Sequence, residues 1–170
     1  RRDRGRALRK VRQSLPLGFQ LQPEPRTAVL DAAPFLPHSS IERIRDELLK
    51  LLTTAVPDEA IAEMWALGLL TEALPEIAAL TDVAQSAPHT EPVLAHTIQV
   101  LRWLVVVETA VAAQTPADRE GLQLAQAALA AYAPALAAHL ARPVDGGLDG
   151  RLLLRLGALF HDVGKKATPT

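Results

Sequence analysis

His161 and Asp162 stand side by side in the run His161-Asp162-Val163-Gly164-Lys165-Lys166. A divalent metal ion accepts an imidazole and a carboxylate together, and the two lysines just beyond could hold a phosphate. Neighbours on an ideal helix diverge by about 100°, so one ion meets both side chains only at a helix end, and Gly164 predicts that end. A tight site needs a third ligand from another helix. His96 is the candidate: it lies beside Thr97 and is bordered by Val93 and Val100, inside a helix that would be a rigid mount. The spacing alone also suits plain structural histidines, because the helix dipole favours a His at a helix C-terminus. His38 and His89, in Pro-containing stretches, and His139, on an Ala-rich helix, read as structural.

The elements that must position these residues are helices. Hydrophobic residues make up 49% of the 170 and aromatics only 4%, so the core is built from Leu, Ala, Val and Ile, which favour helix-on-helix packing. No run alternates with period two. Asp3 to Leu15 reads as a basic helix, and Pro25 to Ala33 as a short one. Ser39 and Glu42 suggest a capping box opening a helix whose stripe is Ile41, Ile44, Leu48, Leu51 and Leu52. Pro57-Asp58-Glu59 starts the next, running to Gly68, and Pro75-Glu76 opens a turn or two to Leu80. Gln85 to His89 is expected as loop. Glu91 to Ala113 is the longest helix, with Val93, Thr97, Val100, Leu101 and Leu104 on one face. An Ala-rich helix follows Pro116 and is bent or broken at Pro134. Pro143 to Gly150 is a loop, and Leu152 to Val163 is the last helix.

Charge is uneven. The chain has a net charge of −1, yet residues 1–12 hold seven basic residues against Asp3 alone. A basic end on an acidic body suggests an anionic partner such as nucleotide or nucleic acid; a solvated terminus is the plain alternative. The absence of cysteine excludes disulfides and thiolate zinc sites. A cytoplasmic protein is expected: no signal peptide is visible, and no stretch approaches the ~20 apolar residues of a membrane span.

His96-Thr97 followed by His161-Asp162-Val163-Gly164-Lys165 resembles the HD superfamily of metal-dependent phosphohydrolases. The resemblance implies His96, His161 and Asp162 as ligands of one or two divalent ions (Mn, Ni, Co, Fe or Mg). Asp162 would serve as catalytic carboxylate and Lys165 would neutralise substrate phosphate. The family's final Asp ligand would lie beyond Thr170. The segment Asp3-Arg4-Gly5-Arg6-Ala7-Leu8-Arg9-Lys10-Val11-Arg12, with Leu17-Gly18-Phe19, resembles the neck-helix motif of bacterial tRNA nucleotidyltransferases and poly(A) polymerases. Ser40 to Leu52 and Leu67-Gly68-Leu69-Leu70, running to Leu74-Pro75-Glu76-Ile77, are similar to that family's following helices. In the family the neck Asp and Arg read the Watson–Crick edge of ATP or CTP, which implies Asp3, Arg6 and Arg9 as nucleotide-binding. Arg2 replaces the motif's Glu, and Gln13 its Phe.

The expectation is thus an all-α multi-helix array: a neck and body over 1–80 that binds RNA and nucleotide, then an HD-type helical domain over 81–170, incomplete at its C-terminal end. Its partners would be a tRNA or other RNA 3′ end and, through a longer parent protein, ATP or CTP, with no membrane. The family's catalytic head needs a Gly-rich strand turn and an Asp-x-Asp pair, and neither occurs in the 170 residues. The start inside a helix motif and the stop shortly after Asp162 suggest a fragment. The alternatives are a stand-alone HD hydrolase with no RNA role, or a non-catalytic helical module.

Overall fold

A computed structural model of the chain describes residues 6–14, 27, 40–85, 90–112 and 120–168. Those residues form a helical array: α1 (Arg6–Ser14), α2 (Ile41–Leu52), α3 (Pro57–Ala66), α4 (Leu69–Ala73), α5 (Pro75–Ala78), α6 (Val93–Ala112), α7 (Glu120–Leu129), α8 (Ala133–Leu140) and α9 (Gly150–Phe160). Two 3₁₀ turns follow, Asp145–Gly147 before α9 and Val163–Lys166 after it. Among the described residues there is no strand beyond one isolated bridge, Pro143 to Asp149. The expected helix at 25–33 and loop at 85–89 fall almost wholly outside the described residues.

One buried apolar cluster runs from Ala7, Leu8 and Val11 on α1, through Leu51, Leu52, Ile61, Met64, Leu67 and Leu70, to Leu101, Leu152 and Leu159. It contains residues from both sides of position 80, joined through Ile77, Leu80, Val93 and Leu94. Gly68, at φ +70°, ends α3 in the left-handed conformation that glycine adopts at no steric cost. The chain then turns directly into α4.

α6 is the central element and packs on α3, α7, α8 and α9. Its first amides are not left open, because Val93 N–H donates to the Val83 carbonyl at 3.0 Å and Leu94 N–H to Leu80 at 3.2 Å. Those bonds fix the height of α6 against the turn after α5. α6 is 20 residues long, and an 18-residue window of it has a mean hydropathy of 1.3, but His96, Gln99, Arg102 and Glu108 interrupt it, so it is not an unbroken run of ~20 apolar residues. In this fold its apolar residues are shared among four neighbouring helices, and it carries Arg102 to Asp58 of α3 at 3.2 Å. α6 also holds a buried Glu108.

Glu108 meets Arg155 of α9, both 5% exposed. The guanidinium grips the carboxylate through two nitrogens, Nε to Oε1 at 3.0 Å and Nη2 to Oε2. Its remaining nitrogen, Nη1, donates to the carbonyls of Leu52 and Thr54. These carbonyls lie at the C-terminal end of α2, where backbone oxygens have no partner inside the helix. One arginine therefore ties α9, α6 and α2 together.

α9 is set in place from its other end as well. Asp149 caps it, accepting from Leu152 N–H at 2.8 Å, an interaction worth about 1 kcal/mol. Gly150 abuts the end of α8 so closely that a Cβ there would run into the His139 carbonyl.

Three local expectations are corrected. The N-cap of α2 is Ser40, with no side-chain cap bond, and Ser39 of the expected capping box lies outside the described residues. The stripe of α2 begins at Ile44, since Ile41 is 75% exposed. Gly164 does not end the last helix in a left-handed cap: α9 stops at Phe160, and the chain continues through a turn into Val163–Lys166.

Two predictions follow from this packing. Removing Arg155 leaves Glu108 buried without its counter-charge, so Arg155→Met should lose about 3–5 kcal/mol in urea unfolding, most of it regained in Arg155→Met/Glu108→Leu. Buried Glu47 of α2 faces Arg12 of α1 at 3.2 Å and Lys50 at 3.3 Å. Burial pushes its carboxyl up, but the two cations outweigh that and hold it below its ordinary 4.5. The stability from Glu47 is therefore present above pH 4.5 and is lost as pH falls through the lowered value. Glu47→Gln should reduce stability at neutral pH and flatten its acid limb, measured as unfolding free energy against pH.

Candidate metal centre

His96 lies one turn into α6, and His161 and Asp162 follow the last residue of α9. Because His96 faces His161 and Asp162 while Glu108 faces Arg155, α6 and α9 run in opposite senses. The buried pair fixes how far along each other they sit. The packed ends thus converge: the ligand atoms of His96, His161 and Asp162 all lie within 4.8 Å of one another. His161 Nε2 is 3.2 Å from Asp162 Oδ2 and His96 Nε2 is 4.0 Å from the same oxygen. The two rings are 5.5 Å apart and tilted by 60°.

The turn after Phe160 makes this convergence possible. On a continuing helix His161 and Asp162 would point in different directions. Asp162 instead leaves the helix, at φ −108° and ψ 7°, and its carboxylate folds back beside the imidazole.

The hydrogen-bond roles are set by chemistry. A carbonyl only accepts, so the 2.7 Å contact between His161 Nδ1 and the Ala158 carbonyl places the proton on Nδ1. In the neutral ring Nε2 then carries a lone pair aimed at a carboxylate oxygen. A backbone carbonyl holding the far nitrogen of a ligating histidine is the usual support of a metal-bound imidazole. Asp162 Oδ2 is itself buried. Lys165 is the nearest cation, its ammonium 2.8 Å away as an ion-pair contact. Burial pushes the Asp162 carboxyl up. The Lys165 ammonium, with His161 and His96, outweighs this and holds it below its ordinary 3.8.

Lys165, expected to neutralise a substrate phosphate, contacts two side chains of the protein itself. Besides Asp162 it donates to Gln85 Oε1 at 3.0 Å. Gln85 Nε2 in turn donates to the Glu91 carbonyl at 3.2 Å, just before α6. Nothing in the sequence marks Gln85. Glu108 and Arg155 carried a signal: each interrupts the apolar stripe of its helix, seven residues from Leu101 and three from Leu152, where a charge needs a buried partner.

Of the expected nucleotide-binding residues, only Arg9 has a described side chain. Asp3 is outside the described residues, and only the backbone of Arg6 is described. Arg9, on the exposed face of α1, approaches Glu47 at 3.6 Å, as Arg12 does more closely. Two charges of the basic terminal helix are thus directed at an acid of α2. Gln13, where the family motif has Phe, is exposed. His139 is exposed on α8, and His38 and His89 lie outside the described residues.

Residues 18–81 match a family described as "Probable RNA and SrmB- binding site of polymerase A". The chain is 30% identical, over 99% of its own length and 31% of the relative's, to the A-adding tRNA nucleotidyltransferase of Deinococcus radiodurans. It is 43% identical over 42% of its length to the CCA-adding enzyme of Bacillus velezensis, of which it covers 18%. With the CCA-adding enzyme of Geobacillus kaustophilus the figures are 36% identity over 51%, covering 21% of that protein. The chain thus spans about a third or less of the curated relatives it matches. The matched segment holds the helices α2 to α5, and the Deinococcus alignment carries the likeness past them to the His161-Asp162 turn. Over these segments the chain is similar to the tRNA nucleotidyltransferase and poly(A) polymerase family.

Proposed function

We propose that this chain is the helical neck and body of a tRNA nucleotidyltransferase or poly(A) polymerase-like protein, acting on RNA 3′ ends, and that it carries an HD-type divalent-metal site at His96, His161 and Asp162. The RNA reading is supported by the likeness over nearly the whole chain to an A-adding tRNA nucleotidyltransferase, and over about half of it or less to two CCA-adding enzymes. The helices from α2 to α5 would brace the RNA backbone, and the basic N-terminal segment, with Asp3, Arg6 and Arg9, would face the nucleotide. No Asp-x-Asp pair occurs in the sequence, so nucleotide addition is not assigned to these residues.

The observation that carries the metal reading is the convergence of two imidazoles on the buried Asp162 Oδ2, with all three residues' ligand atoms within 4.8 Å of one another. The donor set fits a first-row divalent ion: two nitrogens and one carboxylate oxygen suit Mn, Fe, Co or Ni better than Mg, which prefers oxygens. Such an ion, when bound, supplies Lewis acidity and lowers the pKa of a coordinated water. The residues do the rest. Ala158 holds the His161 ring in its ligating tautomer, α6 keeps His96 facing it, and the exposed edge of His161 leaves the site open to a phosphoester.

Two measurements test the two halves. The chain should bind tRNA at low salt, with log Kd rising linearly with log salt as phosphate contacts release counterions. No affinity at about 50 mM salt would sink the RNA reading, leaving an HD hydrolase or a non-binding helical module. In the ¹⁵N spectrum of histidine-labelled protein at about pH 8, above the ordinary histidine range, His161 should show a protonated Nδ1 and a bare Nε2. The opposite tautomer would contradict the ligating geometry.

A further inference from the structure

Among the described residues, three side chains approach one carboxylate oxygen of Asp162. Lys165 Nζ at 2.8 Å, His161 Nε2 at 3.2 Å and His96 Nε2 at 4.0 Å all approach Oδ2. That oxygen is buried, so few directions remain from which a further partner can reach it. The lysine is also not held by the carboxylate alone. Gln85 accepts from it through Oε1, and the other end of the same amide is fixed to the Glu91 carbonyl ahead of α6. From the chain side, Lys165 N–H donates to the Asp162 carbonyl at 3.0 Å, which seats the lysine one short turn beyond its acid. An ammonium anchored at both ends is thus placed on the oxygen that two imidazoles face.

The geometry points to Lys165 as a built-in competitor for the metal site. Anchored by Gln85, its ammonium holds Asp162 Oδ2 against any divalent cation taken up by His96 and His161, and so sets the affinity of that site. This rests on the metal-site reading above. The competition is physical in two ways. The ammonium occupies an approach to a buried oxygen with little free surface, and its positive charge repels a second cation at the same atom. The residue pair Gln85–Lys165 is therefore a specificity device: only ions that gain enough from the two imidazole nitrogens would displace the lysine, which favours nitrogen-seeking first-row ions over those that gain mainly from oxygen.

Calorimetric titration of the purified chain with cobalt(II) alone tests this. Lys165→Met should lower the Kd for cobalt by three- to tenfold, the scale of a partly exposed ion pair. Gln85→Ala, which keeps the lysine charge but removes its anchor, should shift Kd the same way by a smaller factor. Lys166→Met deletes the same charge one residue on, at an exposed position, and should change Kd by less than about 1.5-fold. If wild type binds cobalt and Lys165→Met binds no tighter, the competitor is refuted while the metal site stands. An equal gain in Lys166→Met would also refute it, as a general charge effect. If neither wild type nor Lys165→Met binds cobalt, the metal reading and the competitor fall together. Cobalt uptake by Lys165→Met alone would support both. Thermal unfolding followed by circular dichroism checks that each variant is folded; should Lys165→Met fail to fold, Gln85→Ala decides alone, and an unchanged Kd there overturns the proposal.

Discussion

The charge pair between Arg155 and Glu108 is the constraint on which the rest of this structure depends. A carboxylate and a guanidinium taken out of water lose hydration worth several kcal/mol each, and recover it only when every donor finds an acceptor. Here that requirement is met across three helices: Glu108 on α6, Arg155 on α9, and the end of α2 through Leu52 and Thr54. A slip of α9 along α6 by one turn would leave a buried charge unpaired and two carbonyls unsatisfied. Apolar packing alone tolerates such slips better, since Leu against Leu is nearly the same one turn away. The pair therefore contributes register more than stability.

Register is what the candidate site needs. His96 and the His161-Asp162 pair come from the ends of two helices distant in sequence, and an error of one turn, about 5.4 Å, would exceed the 4.8 Å span of the whole cluster. The α6 amides held by Leu80 and Val83, the Asp149 cap and the close seat of Gly150 restrict the same degree of freedom from other directions. Around Asp162 the electrostatics are then dense. One partly buried acid serves two imidazoles and an ammonium, and its lowered pKa keeps it charged where a cation would be useful.

Much of this was legible in the sequence where local rules decide. The Pro-started helix at 57, the long helix over 93–112 and the break before Pro134 follow from backbone restrictions and periodicity that hold regardless of context. The cluster His96, His161 and Asp162 could be named from residue types and resemblance. Its geometry could not, because it depends on a turn after Phe160 rather than on the glycine cap expected at Gly164. The partners Arg155, Glu108 and Gln85 were not identified either. They are 47 residues apart in the first case and 80 from Lys165 in the other, and no local pattern links them. For Arg9 and Lys165 the sequence shows a cation but not its partner: Arg9 approaches Glu47, and Lys165 meets Asp162 and Gln85.

The central claim is that this register of α6 against α9 builds one divalent-ion site from His96, His161 and Asp162. Anomalous scattering from crystals soaked in cobalt(II) or manganese(II) tests it most directly. The account predicts one strong peak about 2 Å from both Nε2 atoms and from a carboxylate oxygen of Asp162. No peak among these residues, or one held by other side chains, would contradict it.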